Sequence, residues 1–185
     1  VRTPATILIR PALDAALVVP PVTTVCSGNP VTLTATSVLG TAVAYNWYDA
    51  ASAGSLLFTG NPYTTDTITN TGTSDLTRMY YVELVDTAGC KSVRTPATVV
   101  IRPALDVPLV VPPATIICSG NPATLNATSV LGTAVTYNWY NAATAGTLLF
   151  TGNPYTTDTI SNSAATDLTQ TYYVELVDTG GCRRI

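Results

Sequence analysis

The side chains best equipped for chemistry in this chain are four cysteines, Cys26, Cys90, Cys118 and Cys182. The first two are spaced as the last two are. An even count at repeated positions reads as disulfide candidates in an oxidising compartment. Zinc is a poor fit, because the cysteines are far apart, no Cys-x-x-Cys occurs and the chain has no histidine. Without histidine, the abundant serines and threonines also lack the usual base that activates a nucleophile. The one lysine, Lys91, gives way to Arg183 at the equivalent position. Carboxylates stand singly, at Asp14, Asp49, Asp66, Asp75, Glu83 and Asp86, with no Asp-x-Asp or EF-hand spacing for calcium. A glycosidase pair would have to converge from separate strands, and Asp49 becomes Asn141 in the second half. These residues predict no catalytic site, no metal and no cofactor.

Composition narrows the partners. Charged residues are 10% of the chain, against about 25% in an average soluble protein. Mean hydropathy is +0.31, net charge −3 and pI about 4.6. Seven arginines and Lys91 are scattered along the chain, which is no footprint for nucleic acid or an anionic membrane surface. Pro, Thr and Arg break every apolar run well short of the ~18 residues of a membrane helix. The apolarity is therefore spread over strands, and a charge-poor, hydroxyl-rich surface suits lateral or end-to-end packing against neighbours.

Positioning these groups is a unit written twice. Residues from Val1 match residues from Val93 at a fixed offset of 92, without insertion or deletion. VRTPATILIRPALD returns as VRTPATVVIRPALD, CSGNP at Cys26 returns at Cys118, and YNWY at Tyr45 returns at Tyr137. A repeat this long is a whole small domain. β-branched and aromatic residues dominate, and Gly, Pro and Asn punctuate them every 8–12 residues, as in a β-sandwich. Strands are expected at 17–25 (interrupted by Pro20-Pro21 and able to switch sheets), 31–37, 43–48, 56–59, 63–69, 79–85 and 90–101. Turns are expected at 27–30, 51–54, 60–62 and 86–89. About seven strands per unit in this order fit an immunoglobulin or fibronectin type III sandwich, making the chain all-β. Trp47 and Trp139 on the third strand, with Tyr80 and Tyr172, are the expected core anchors. Leu76 ahead of Tyr80 and Tyr81 resembles a tyrosine corner, in which a tyrosine hydroxyl bonds to backbone.

The elements CSGNPVTLTATS, YNWYDAASAGSLLFTGNPYTT, YYVELVDTAGCKS and RTPATVVI resemble the Ig-like repeat of large secreted and surface proteins of Bacteroidota, a family associated with C-terminal secretion domains and with gliding or adhesion proteins. The resemblance spans the whole repeat. It implies an extracellular spacer or adhesive module that is not an enzyme. On this reading residues 1–12 are the last strand of a preceding or neighbouring module, 13–105 form module 1, and 106–185 form module 2 without its own last strand. An unpaired central edge is unstable. Either the strand follows in a continuous array, or residues 1–12 of another copy supply it by donor-strand complementation. Partners are then copies of the chain, head to tail, as the shaft of an extracellular filament or long adhesin. Rival readings are a glycan- or surface-binding module, using loops such as 37–42 in repeated weak contacts, and an accessory domain of a secreted enzyme.

The same frame bears on the cysteines. Cys26 opens the second strand and Cys90 follows the sixth, at opposite ends of an Ig-type sandwich. A seven-residue strand spans roughly 23 Å, whereas a disulfide needs Cα atoms within about 7 Å. A bridge between repeats, Cys26–Cys182, and bridges within them, Cys26–Cys90 and Cys118–Cys182, both remain open. Thr67, Thr159 and Thr87 sit in Asp-Thr-apolar triplets that resemble the O-glycan motif of secreted proteins of that phylum. Asn126-Ala127-Thr128 is an N-glycosylation sequon.

Overall fold

The computed structural model describes residues 2–39, 44–130 and 135–184. Val43 and residues 40–42 of the loop 37–42 lie outside them. The chain forms two compact units, Val1–Pro103 and Ala104–Ile185. No helix occurs among the described residues.

Unit 1 contains β1 (Leu17–Val18), β2 (Val22–Cys26), β3 (Thr32–Leu33), β4 (Ala35–Thr36), β5 (Ala44–Tyr48), β6 (Leu56–Thr59), β7 (Tyr63–Thr64), β8 (Leu76–Val85) and β9 (Thr95–Arg102). One sheet has the order β2-β9-β8-β5-β6; the pairs β1-β4 and β3-β7 lie across the core from it. Taking β1 with β2, and β3 with β4, as halves of broken strands gives seven. Pro20 and Pro21 supply no N–H, so the ladder breaks there. β1 therefore pairs antiparallel with β4, while β2 crosses to run parallel with β9.

Alternation sets which side chains face the core. Val31, Leu33 and Ala35 point inward from one layer, and Ala97, Val99 and Ile101 of β9 from the other. Trp47 is completely buried between them. Each fully buried Val, Leu or Ile contributes about 1.5–3 kcal/mol. β9 holds two neighbours: its Thr98–Arg102 half pairs with β2, and Thr95–Ile101 pairs with β8 from Val82 back to Leu76. The expected strand at 63–69 is shorter, because only Tyr63–Thr64 pairs, followed by a single bridge from Ile68 to Asn29. The expected last strand begins at Thr95 rather than Cys90.

Unit 2 contains β10 (Leu109–Val110), β11 (Thr124–Leu125), β12 (Ala127–Thr128), β13 (Val135–Tyr140), β14 (Leu148–Thr151), β15 (Tyr155–Thr156), β16 (Tyr173–Asp178) and β17 (Arg183–Arg184). The sheet β14-β13-β16-β17 and the pairs β10-β12 and β11-β15 repeat the registers of unit 1. Residues 114–118, equivalent to β2, carry no strand, and neither do 168–172, equivalent to the first half of β8. In unit 1 both segments are held by β9. Among the described residues of unit 2 no strand occupies that place.

Candidate interaction site

The cysteines sit at strand ends whose turns are duplicated. β2 ends at Cys26, whose C=O accepts from Asn29 N–H at 3.2 Å; Asn121 and Cys118 repeat this bond at 3.2 Å. Cys90 and Cys182 follow Asp86 and Asp178, and each N–H donates to the preceding carboxylate at 2.8 Å. Cys26 and Cys182 are disulfide-bonded, whereas Cys90 and Cys118 are exposed free thiols. Bridges within the repeats, Cys26–Cys90 and Cys118–Cys182, are therefore not formed.

The expected core aromatics form a three-way stack. Tyr63 lies 5.7 Å from Trp47, 5.7 Å from Phe58 and 5.9 Å, edge-on, from Tyr80. Trp139, Phe150, Tyr155 and Tyr172 repeat it. Burial, then the neighbouring Tyr80 and Asp66, raises the Tyr63 pKa; burial, then Tyr172 and Asp158, does the same at Tyr155. Trp47, Trp139 and Tyr80 are buried, and Tyr172 is half-buried. The tyrosine corner takes a different form. Tyr81 O–H donates to Met79 Sδ at 3.7 Å, and the tyrosine oxygen that meets backbone is that of Tyr45, accepting from Ser37 N–H at 3.1 Å.

Glu83 is buried, and sequence alone did not mark it. Lys91 Nζ lies 3.0 Å from Oε1 and Arg94 Nε 3.5 Å from Oε2, while Tyr48 O–H donates to Oε1 at 3.3 Å. The Arg94 guanidinium lies 3.4 Å over the Tyr48 ring, a cation–π contact. The hydrogen bond and charge of Glu83 raise the Lys91 pKa. In unit 2, Arg183 takes the Lys91 role beside Glu175 at 3.2 Å. The only signal was the alternation of β8, which turns Glu83 to one face with its cations on the next hairpin arm. These ion pairs compensate the charge of a buried carboxylate.

Thr67, Thr159, Thr87 and Asn126 are all exposed. No cluster of three His, Cys, Asp or Glu able to hold a metal occurs among the described residues.

A groove in unit 2 is the feature that sequence did not draw in detail. It has a volume of about 760 Å³ and is lined by Leu125, Trp139, Ile160 and Tyr172 with the flanking segments at Ile117 and Leu168. Its place in the repeat is the one β9 fills in unit 1. Ile68 and Asn70 are buried there, whereas Ile160 and Asn162 are only half-buried here. Asn70 Nδ2 donates to the Ile101 C=O of β9 at 2.8 Å as well as to Ser74 C=O at 2.9 Å; Asn162 Nδ2 donates to Thr166 C=O at 2.9 Å.

Facing sheets, a buried tryptophan on the third strand and a strand that switches sheets define a tandem pair of immunoglobulin-type β-sandwiches. Residues 14–103 and 106–185 each match the family described as Ig-like domain CHU_C associated, and the chain belongs to that family. Among solved structures, a chain in the crystal structure of mouse coronavirus receptor-binding domain complexed with its murine receptor is similar at 15% identity and TM-score 0.40, covering 89% of this chain and 92% of that one. The two tandem V-type regions of VCBP3, a v-region-containing chitin binding protein, are similar at 13% identity and TM-score 0.29, covering 91% and 78%. No curated protein matches the chain. No helix among the described residues is long and apolar enough to cross a membrane.

Proposed function

We propose that this chain is a structural repeat module of a secreted or cell-surface protein, the shaft of an extracellular filament or long adhesin built from head-to-tail Ig-like units. The observation that carries the reading is the duplication of a whole sandwich with its residues spent on packing. Tryptophan, tyrosine and buried carboxylate recur in the same roles in both units, and no constellation suited to catalysis stands beside them among the described residues. Function then lies in mechanics: strand pairing, burial and covalent staples.

The staple is a Cys26–Cys182 bridge joining one repeat to the next. Its support is that these two cysteines are oxidised while Cys90 and Cys118 keep free thiols. Extended along an array, the same rule pairs Cys118 with the Cys90-equivalent of the following repeat, and Cys90 with the Cys26-equivalent of the preceding one. Oxidised cysteines also favour an extracellular setting.

The test is the mass of the native polypeptide under denaturing conditions, with and without reductant. Reduced species of hundreds of kilodaltons indicate a continuous array. A reduced species near 19.3 kDa that is part of a larger native assembly indicates separate two-module subunits. A small monomer in both native and denatured states sinks the shaft reading.

A second reading, an adhesive module for a surface glycan or protein, draws on the outer strands. Leu56, Leu57 and Phe58 of β6 are exposed at a sheet edge, and Leu148, Leu149 and Phe150 of β14 repeat them. Weak contacts there would add along a repeat. A glycan array without hits would count against the glycan form of it.

A further inference from the structure

We propose that β6 pairs edge to edge with β6 of a second copy of this chain, antiparallel about a two-fold axis at Phe58, and that β14 offers the same joint at Phe150. Such a joint holds chains side by side and goes beyond the head-to-tail reading above.

β6 has one neighbour, β5, and is the outermost strand of its sheet, at the opposite edge from β2. β14 holds the same place beside β13, with the same register. Trp47 opposes Phe58 and Asn46 opposes Thr59, while the Gly60 N–H donates to the Tyr45 C=O at 2.8 Å. Antiparallel ladders alternate bonded and non-bonded pairs, so Phe58 and Gly60 turn their backbone groups to β5. Planarity of the peptides on either side then turns the Leu57 C=O, the Thr59 N–H and the Thr59 C=O away from β5. Among the described residues no bond reaches these groups from the open side. In unit 2 the Gly152 N–H donates to the Tyr137 C=O at 2.8 Å, and Leu149 and Thr151 repeat the arrangement.

The open groups fit a strand of the same sequence. With Phe58 facing the second copy's Phe58, Thr59 of each strand faces Leu57 of the other. Each Thr59 N–H then donates to a Leu57 C=O across the axis. The two phenylalanines fall at the non-bonded pair, where side chains approach most closely and aromatic pairs add stability. Phe58 stacks on Tyr63 within its own unit and is still 41% exposed; Phe150 stacks on Tyr155 and is 40% exposed. Leu56 beside them is 53% exposed and Leu148 49%. Each ring thus has a free side as well as a fixed one.

Charge selects the occupant. No charged residue lies between Asp49 and Asp66, or between Asp106 and Asp158, so the net charge of −3 is carried elsewhere in the sequence. A charged partner would leave its own charge unmatched along this strip. A second copy brings an equally neutral strand, and each chain has two. Natural edges are commonly guarded by lysine, proline or a bulge. Leu56–Thr59 and Leu148–Thr151 contain neither lysine nor proline. The bulge, where Tyr48 meets Leu56, ends before Phe58 and leaves the stretch from Phe58 to Thr59 regular. A saccharide could cover the leucines, but it has no row of amides at strand spacing to extend the ladder.

The test uses the 185-residue chain with Cys90→Ser and Cys118→Ser, so that exposed thiols cannot join copies. Light scattering over a concentration series should show reversible association. Amide exchange followed by NMR should show Thr59 and Thr151 exchanging fast in dilute solution and slowly in concentrated solution, with Phe58, Gly60, Phe150 and Gly152 slow in both. Leu57→Lys with Leu149→Lys should leave the chain monomeric at concentrations where the parent associates. Its dilute melting curve should match the parent's, because both leucines are exposed. A chain that is monomeric at every concentration overturns edge pairing, and glycan binding by that monomer would assign the strip to the second reading above. Association that leaves Thr59 and Thr151 exchange unchanged, or that the two lysines do not weaken, overturns it as well. The shaft reading stands or falls separately, on the denatured mass with and without reductant, where non-covalent edge pairing does not survive.

Discussion

The Trp47 indole N–H donates to the Gly60 carbonyl at 3.1 Å, and Gly60 in turn lies against Phe58. The turn carrying Gly60 is thus tied to the most buried ring of the core. Gly60 has φ +140°, and a Cβ there would stand 2.8 Å from Phe58 Cε1. Gly60→Ala is expected to destabilise unit 1 by about 1–3 kcal/mol, through backbone strain and displacement of the Phe58 ring. Gly28 shares a positive φ but has open space around it, so Gly28→Ala should cost about 1 kcal/mol. Denaturant unfolding of the two variants checks the order.

The two copies of one strand sequence should respond oppositely to truncation. Val99→Ala removes buried methyls from the unit 1 slot and should cost about 2 kcal/mol. Ile7→Ala at the equivalent exposed position should change the stability of the isolated chain by less than about 0.5 kcal/mol. A thermal melt of dilute protein compares them. A large effect of Ile7→Ala in the monomer would mean that the segment is packed within its own chain.

The staple predicts non-additivity. Cys26→Ser and Cys182→Ser should each destabilise by about 2–4 kcal/mol, the usual range for removing a disulfide. The double variant should cost no more than either single one, because one bond is lost in all three. Cys90→Ser should be near neutral. Additive losses at Cys26 and Cys182 would show that they do not share a bond.

Stability should fall in acid from two surface turns. Asp14 accepts from Val38 N–H at 2.6 Å and from the Ser37 hydroxyl at 3.0 Å. Burial works to raise its pKa, but these bonds together outweigh it and the net shift is downward. At Asp86 the Cys90 N–H leads the downward shift, partial burial opposes it, and the Ala88 N–H and Arg10 add to it. A carboxylate whose folded pKa is below its unfolded value stabilises the fold above the unfolded value of 3.8. That contribution is lost as pH falls through the folded pKa. Lys91 is the opposite case: its raised pKa gives stability that is full below 10.5 and is lost as pH rises through the folded value. Melting temperature should be flat through neutrality and drop at both ends. Asp14→Asn and Asp86→Asn should shrink the acid drop, and Lys91→Met the alkaline one.

Much of the sandwich was legible because its signals are local. The alternation of Val31, Leu33 and Ala35 names a buried face at once, since every second residue of a strand points the same way. Pro20-Pro21 marks the sheet switch, since proline cannot donate to a ladder. The sheet partners that frame the groove were less legible. Nothing near β2 states that its neighbour is β9, some seventy residues on and parallel, and the β2-equivalent at 114–118 has similar apolar residues yet forms no strand. Strand formation there depends on a neighbour, and a neighbour is not a property of the segment.

The sequence by itself determined that there are two equivalent all-β units, that Trp47 and Trp139 anchor them, and that the chain has no histidine for catalysis or metal binding. These follow from residue identity and short-range periodicity. Only the tertiary structure decided that Cys26 and Cys182 are the oxidised cysteines and that Glu83 meets Lys91 and Arg94. Each depends on the distance in space between groups remote along the chain, which spacing in sequence does not encode.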